Sequence, residues 1–248
     1  MPAVLAIAWG GAALFVLSLA FFLYSYAFTF AEIAIGPARP SAITANFTLF
    51  TVFALHHSVF ARERVRAAVA RSVPAPLERS VYVYVASALF IGVCAFWQPV
   101  PGVAWQLGGI AAIPLYALQL WGIWLSLRSA AIIDIWELAG VKQASTPNFQ
   151  RPTSNGESPA TWELGVGSWK FKTNGPYGWV RHPIYSGWFL IVFAATPMTM
   201  TRLVFAVISG IYVLIAIPFE ERSLRRTAGA AYAEYMRQVK WKLVPGVY

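Results

Sequence analysis

Long apolar runs recur along this chain, and they limit its possible folds more than any other feature does. A bilayer core of about 30 Å is crossed by a helix of about 20 apolar residues. Runs of this kind lie at about 3–31, 43–61, 80–97, 108–127, 184–200 and 203–219. Only 12% of the residues are charged, whereas a soluble domain has about 25%. The sequence therefore predicts an all-α fold, a polytopic transmembrane helical bundle of about six spans.

The basic residues are distributed unevenly between the loops that connect these runs. Clusters of Lys and Arg follow the second, fourth and sixth runs, whereas the loops on the other side contain only Arg39 and Arg202. Because Lys and Arg accumulate on the cytoplasmic side of a membrane, we expect an inner (plasma) membrane protein with both termini in the cytoplasm. The net charge of +9 then reflects topology and attraction to anionic membrane lipids. It does not indicate a nucleic-acid partner, because no soluble basic domain is present.

The polar content divides the chain into two parts with different expected roles. Residues 1–128 contain the first four runs and are predicted to form a transmembrane scaffold. Residues 129–248 are predicted to form the catalytic half, with a long cytoplasmic loop, a helical hairpin and an amphipathic helix after it. The middle of the loop is rich in Ser, Thr, Pro, Gly and Asn, which is typical of irregular structure. Irregular segments of this length are usually functional or disordered.

Two charged motifs lie at the cytoplasmic boundary of the hairpin. Arg181-His182-Pro183 precedes the fifth run, and Glu220-Glu221 follows the sixth. Since a tight turn near TPMTMTR joins the two runs, both motifs are expected on the same side of the membrane. Ionisable residues at such positions are functional candidates. The alternative is that the two glutamates only form helical ion pairs with Arg222, Arg225 or Arg226.

These motifs also carry a resemblance to a known family. GPYGWVRHPIYSGW and the later EERSLRRTAGAAYAEYMRQVKWKLVP resemble the paired signature of integral-membrane isoprenylcysteine carboxyl methyltransferases and phospholipid methyltransferases. ALHHSVFAR, VPAPLERSVYV, FWQPVPGVAW and ELAGVKQ are similar to the bacterial branch that methylates methanethiol to dimethyl sulfide. Two features depart from that branch: residues 144–170 look like an insertion, and ELAGVKQ stands where the branch tends to have DLFGLRQ.

The resemblance implies that S-adenosyl-L-methionine binds in a cytoplasmic pocket formed by the hairpin and the helix that follows it. Cations would hold the carboxylate of this cofactor, and a glutamate would hold its amino group. A glycine and a proline would let the backbone approach the ligand. The cofactor-binding residues that it implies are Tyr177, Val180, Arg181, His182, Pro183, Tyr185, Gly187, Glu220 and Glu221.

The resemblance also implies a small lipophilic thiol as the methyl acceptor. A thiol with a pKa of about 8.5 or above requires deprotonation near neutral pH. The predicted catalytic residues are His57 and His56 for this step, with Arg181 and Glu221 beside the cofactor. Capping or an interfacial position is the other interpretation of the two histidines, and a metal site is not expected because no third ligand has suitable spacing. Residues 144–173 are predicted to close over the site as a lid.

Other functions remain compatible with the sequence. One is a methyltransferase that acts on a prenylated cysteine carboxylate or a phospholipid, which a long groove open to lipid would favour. Another is a membrane reductase that uses a nicotinamide cofactor. A non-catalytic scaffold or transporter-like subunit is the third, although the first four runs contain few ionisable residues.

Overall fold

A computed structural model of the chain describes residues 2–60, 65, 71–145 and 173–248. Helices dominate these residues, together with short 3₁₀ turns. The α-helices are α1 (Pro2–Ala27), α2 (Pro40–Phe60), α3 (Glu78–Phe96), α4 (Ile113–Ile133), α5 (Ile135–Leu138), α6 (Val141–Ser145), α7 (Pro183–Phe193) and α8 (Met200–Gln238). Two short strands, β1 (Val103–Trp105) and β2 (Met198–Thr199), pair antiparallel.

Within the described ranges, five helical stretches are long and apolar enough to cross a membrane: Pro2–Ala31, Pro40–Phe60, Glu78–Phe96, Gly109–Ile133 and Met200–Gln238. They confirm a helical, multi-pass membrane protein. The predicted span at 184–200 contains the shorter helix α7, which has 11 residues and so extends about 16 Å. The number of membrane crossings therefore stays a prediction.

The chain divides into two compact units, and each is built from separate stretches. The first unit consists of Met1–Ala27, Thr44–Trp97 and Ile133–Gly167, and the second of Phe28–Ile43, Gln98–Ile132 and Ser168–Tyr248. The division predicted from the sequence, at residue 128, separates a scaffold role from a catalytic role and does not refer to these compact units. That division also stays a prediction.

Helices α1 and α3 form the centre of the first unit. Small residues on α1 allow the close approach, as is common between membrane helices: Ala8 is fully buried, and Gly10 and Gly11 lie against Tyr84 of α3. The Tyr84 hydroxyl donates a hydrogen bond to the carbonyl of Ile7 over 3.0 Å. The two helices are thus held together by packing and by a polar contact.

Helices α4, α7 and α8 form the second unit together with the β1–β2 pair. Residues 194–199 make the tight turn between α7 and α8, as the sequence predicts, and the Thr199 side chain caps α8 by accepting from the Arg202 amide. The 39 residues of α8 correspond to about 58 Å of helix when measured along the chain, far more than a bilayer core. Its apolar part ends near Phe219, and the helix kinks at Gly229, where φ is 47°.

Candidate active site

The α7–α8 hairpin brings the two charged motifs together. His182 occupies the N-cap position of α7, and Glu221 lies two residues beyond the apolar part of α8. Nε of Arg181 donates to Oε1 of Glu221 over 2.7 Å, and Nε2 of His182 is 3.3 Å from the same oxygen. The side chains of these three residues are between 5% and 7% exposed. A buried carboxylate thus faces a buried guanidinium and an imidazole, a combination that stabilises its ionised form.

The two adjacent glutamates differ in environment. Glu221 is engaged at both oxygens, since Arg225 lies 3.7 Å from Oε2 at the helical (i, i+4) spacing. The Glu220 side chain is 36% exposed and lies 3.7 Å from Nδ1 of His182. Its Oε2 accepts a hydrogen bond from the Tyr185 hydroxyl over 3.0 Å. Glu221 therefore belongs to the buried framework, whereas Glu220 is a carboxylate that a ligand can reach.

Arg181 also fixes the segment that follows α8. Nη1 of Arg181 donates to the carbonyls of Val239 at 3.0 Å and Lys240 at 2.6 Å. The backbone amides of Arg181 and His182 donate to the carbonyls of Trp241 and Lys242. This one arginine connects the start of α7, the middle of α8 and the chain beyond α8.

Tyr177 and Val180 lie at the edge of the same cluster. Val180 is buried, and the carbonyl of Tyr177 accepts a hydrogen bond from the Tyr235 hydroxyl over 2.9 Å. Burial, reinforced by the neighbouring Tyr235 and Glu220, raises the pKa of the Tyr177 phenol above its ordinary value. The phenol therefore remains protonated near neutral pH and can act as a hydrogen-bond donor.

Gly187 is used in helix packing. A Cβ at this position would lie 2.6 Å from the carbonyl oxygen of Gly122 and in contact with Oγ of Ser126, both on α4. Pro183 is buried as the first residue of α7. The roles of these two residues in cofactor binding stay predictions.

A small pocket of about 190 Å³ opens beside the buried carboxylate, lined by Pro218, Glu221, Arg222, Arg225 and Lys242. Three cations around one carboxylate favour an anionic group. Sequence analysis did not single out Arg225 or Lys242 as ligand-binding residues, because the basic residues after the sixth run were interpreted mainly as a topology signal. The (i, i+4) spacing of Arg225 from Glu221 was a signal in the sequence, whereas no sequence spacing places Lys242 beside this pocket.

The two predicted histidines belong to the first unit, whereas the charged motifs belong to the second. Nδ1 of His57 lies 2.6 Å from the hydroxyl of Tyr82 on α3. His56 stacks on Tyr82 and makes a tilted ring contact with Phe60. No group of three or more His, Cys, Asp or Glu residues with the geometry of a metal site occurs in the parts of the chain that the structure describes. The predicted lid at 144–173 lies outside those parts except at its ends.

Comparison with known proteins decides the family. A model described as the isoprenylcysteine carboxyl methyltransferase (ICMT) family matches residues 166–226. Methanethiol S-methyltransferase 2 of Bradyrhizobium diazoefficiens is 36% identical over 208 residues, which cover 84% of this chain and 74% of the relative. The methanethiol S-methyltransferase of Mycobacterium tuberculosis is 35% identical over 212 residues, which cover 85% and 81%. That of Crocosphaera subtropica is 35% identical over 200 residues, which cover 80% and 73%.

The chain belongs to the methanethiol S-methyltransferase family. This membership confirms the resemblance drawn from the motif pair, and it makes the chain a membrane methyltransferase. The family match at 166–226 includes both Arg181-His182-Pro183 and Glu220-Glu221. No solved structure matches the chain.

Proposed function

We propose that this methyltransferase uses S-adenosylmethionine to methylate a small lipophilic thiol in the inner membrane, with methanethiol as the acceptor and dimethyl sulfide as the product. The observation that carries the proposal is the similarity to relatives named methanethiol S-methyltransferase along most of the chain. Membrane lipid surrounds the protein, so a small apolar acceptor can arrive by that route.

The donor set of the α7–α8 site fits the amino-acid end of S-adenosylmethionine. That end is a zwitterion, which needs an anion for its ammonium group and cations for its carboxylate. Glu220 is a partly exposed carboxylate that Tyr185 orients. Arg222, Arg225 and Lys242 line the adjoining pocket, and charge-assisted hydrogen bonds of this kind are among the stronger ones in proteins. We therefore assign the ammonium group to Glu220 and the carboxylate to the three cations.

The protein contributes positioning and exclusion of water more than covalent chemistry. When bound, S-adenosylmethionine supplies an activated methyl group on a sulfonium. The buried Arg181–Glu221–His182 cluster holds α7, α8 and the segment after α8 in fixed relation, which keeps Glu220 and the pocket cations in place. Correct placement of two reactants contributes up to about 7–11 kcal/mol in favourable cases. His57 takes the proton of the acceptor thiol, because the thiolate is the reactive form.

The cofactor assignment is tested by calorimetric titration of the purified protein in lipid nanodiscs. We expect S-adenosylhomocysteine to bind and NADPH to give no heat of binding. Saturable binding of NADPH without binding of S-adenosylhomocysteine would instead support a reductase and remove the methyltransferase mechanism.

The acceptor assignment is tested by supplying the same preparation with S-adenosylmethionine and one of three acceptors. Methanethiol, a farnesylated cysteine analogue and phosphatidylethanolamine represent the three acceptor classes. We expect methylation of methanethiol alone. A methyl ester or a methylated lipid without any thioether would refute the thiol assignment while leaving the methyltransferase activity intact.

A further inference from the structure

A second polar cluster lies in the first unit, formed by the end of α2 and the beginning of α3. It contains His57 of α2 and Tyr82 of α3, whose ring lies beneath the guanidinium of Arg79 at 5.1 Å from the ring centroid. Arg79 is itself fixed, since its Nε donates to the carbonyl of Leu138 over 3.2 Å. Hydrogen-bonding side chains in a mostly apolar region require partners, and this cluster supplies them internally.

The contact between His57 and Tyr82 distinguishes the two nitrogens of the imidazole. Nδ1 of His57 lies 2.6 Å from the Tyr82 hydroxyl, so this nitrogen is engaged with Tyr82. When Nδ1 carries the proton and donates it to the phenol oxygen, Nε2 keeps its lone pair. The hydrogen bond at one ring nitrogen thus sets the function of the other. His57 is exposed within its unit.

The neighbouring histidine differs in this respect. Neither ring nitrogen of His56 makes a hydrogen bond with the described residues, and both are buried. Its ring stacks on Tyr82 with an interplanar angle of 14° and lies 4.3 Å from the Phe60 ring, centroid to centroid. His56 therefore packs as an aromatic side chain, and the geometry separates the roles of the two adjacent histidines.

We propose that Tyr82 is a positioning residue for thiol deprotonation. Its oxygen accepts a hydrogen bond from Nδ1–H of His57, and this leaves the Nε2 lone pair available to the acceptor thiol. This inference rests on the proposed thiol methyltransferase function. The S–H bond of the acceptor breaks as an N–H bond forms at Nε2. This transfer leaves a thiolate, and the imidazolium afterwards releases its proton to water.

The charged and titratable groups that face His57 in the described residues support this assignment. They are His56 on α2 and Arg79 and Tyr82 on α3. Of these groups, Tyr82 is the one that makes a hydrogen bond with Nδ1 of His57. The Tyr82 oxygen accepts a hydrogen bond from the imidazolium when it forms, as the third group does in other nucleophile–base arrangements.

The test compares Tyr82→Phe with wild type on two acceptors of different acidity. An alkyl thiol needs a base, whereas an aryl thiol with electron-withdrawing groups is already ionised at the assay pH. Since a positioned general base contributes about 10²–10⁴-fold, we expect kcat/KM for the alkyl thiol to fall at least about tenfold and kcat/KM for the aryl thiol to stay unchanged. Tyr84→Phe is the matched control. It also removes a tyrosine hydroxyl from α3, but that hydroxyl donates to the carbonyl of Ile7 and not to His57.

Two further measurements separate the possible outcomes. His57→Gln cannot take a proton and should show the same selective loss, and adding Tyr82→Phe to it should cost nothing more. Binding of S-adenosylhomocysteine shows that each variant is folded. An equal loss on both thiols, or independent effects of the two substitutions, would overturn the role of Tyr82. A wild-type protein that methylates neither thiol would overturn the proposed function itself.

Discussion

Glu221 is a single carboxylate within reach of three cationic or protonatable side chains. It lies 2.7 Å from Arg181, 3.3 Å from His182 and 3.7 Å from Arg225. Removal of one partner from a buried ion pair costs about 3–5 kcal/mol, because the other charge stays buried without compensation. We therefore expect Glu221→Gln to lower the free energy of unfolding by that amount, measured by thermal unfolding in detergent micelles.

Glu234 offers the control for this substitution. It forms an ion pair with Arg237 on the exposed surface of the same helix, where solvent screens such pairs. Glu234→Gln should leave the unfolding temperature nearly unchanged. If Glu221→Gln and Glu234→Gln lower the unfolding temperature equally, the buried ion pair does not stabilise the protein more than the exposed one, and the prediction is wrong.

Glu220 should affect binding rather than stability. Its side chain is 36% exposed, and we assign it to the ammonium group of the cofactor. A hydrogen bond to a charged group contributes about 1.5–3 kcal/mol, so Glu220→Gln should weaken S-adenosylhomocysteine binding by at least about tenfold. The unfolding temperature without ligand should change little, and unchanged affinity would refute the assignment.

The sequence predicted which residues meet at this site but not which of them are buried and which a ligand can reach. Topology alone placed Arg181 and His182 near Glu220 and Glu221, because two antiparallel runs joined by a tight turn end on the same side. Neighbouring residues on a helix point roughly 100° apart, so the rotation of α8 decides which glutamate is buried. Lys242 was missed because its position depends on the path of the chain after the Gly229 kink.

At the level of helices, the crossing of α4 and α7 depends on small residues. Gly122 and Gly187 face each other, and a Cβ at Gly187 would lie 2.6 Å from the Gly122 carbonyl oxygen. Excess volume in a well-packed contact costs about 1–3 kcal/mol. We expect Gly187→Ala to destabilise the protein by this amount in thermal unfolding, since the added methyl group would meet the backbone of α4.

Gly92 on α3 is the matched control, because a Cβ built there has no neighbour within 4 Å among the described residues, apart from its own stretch of helix. Gly92→Ala should be neutral or slightly stabilising, since alanine is favoured over glycine in a helix by about 1 kcal/mol. The outcome also bears on the predicted cofactor role of Gly187. Weaker ligand binding without any loss of stability in Gly187→Ala would indicate contact with the ligand rather than helix packing.

The largest difference between the predicted and observed elements is at the fifth apolar run. The run at 184–200 was predicted as a helix, whereas α7 ends at Phe193 and the chain turns through residues 194–199. Hydrophobicity does not separate these states, because buried extended residues and buried helical residues are both apolar. Tertiary contacts determine the extended conformation here. Strand β2 pairs with β1, and the Thr196 hydroxyl donates to the carbonyl of Leu107 over 2.9 Å.

For the whole molecule, the distribution of basic residues predicts the orientation in the membrane. Cysteine-accessibility labelling in a background lacking Cys94 tests it, with Arg39→Cys on the predicted outer side and Gln150→Cys and Lys240→Cys on the predicted inner side. A membrane-impermeant maleimide added from outside should label only the Arg39→Cys variant. The reverse pattern would show that the basic loops face outward and would contradict the positive-inside assignment.

Transfer of a labelled methyl group tests the central claim most directly. The protein is reconstituted in liposomes with S-adenosylmethionine that carries a trideuterated methyl group, and methanethiol is added as the acceptor. Headspace mass spectrometry should detect dimethyl sulfide with three deuterium atoms, formed by wild type and strongly reduced in Glu220→Gln. Labelled product from wild type at no more than the rate in protein-free liposomes would contradict the conclusion that this chain methylates a small thiol.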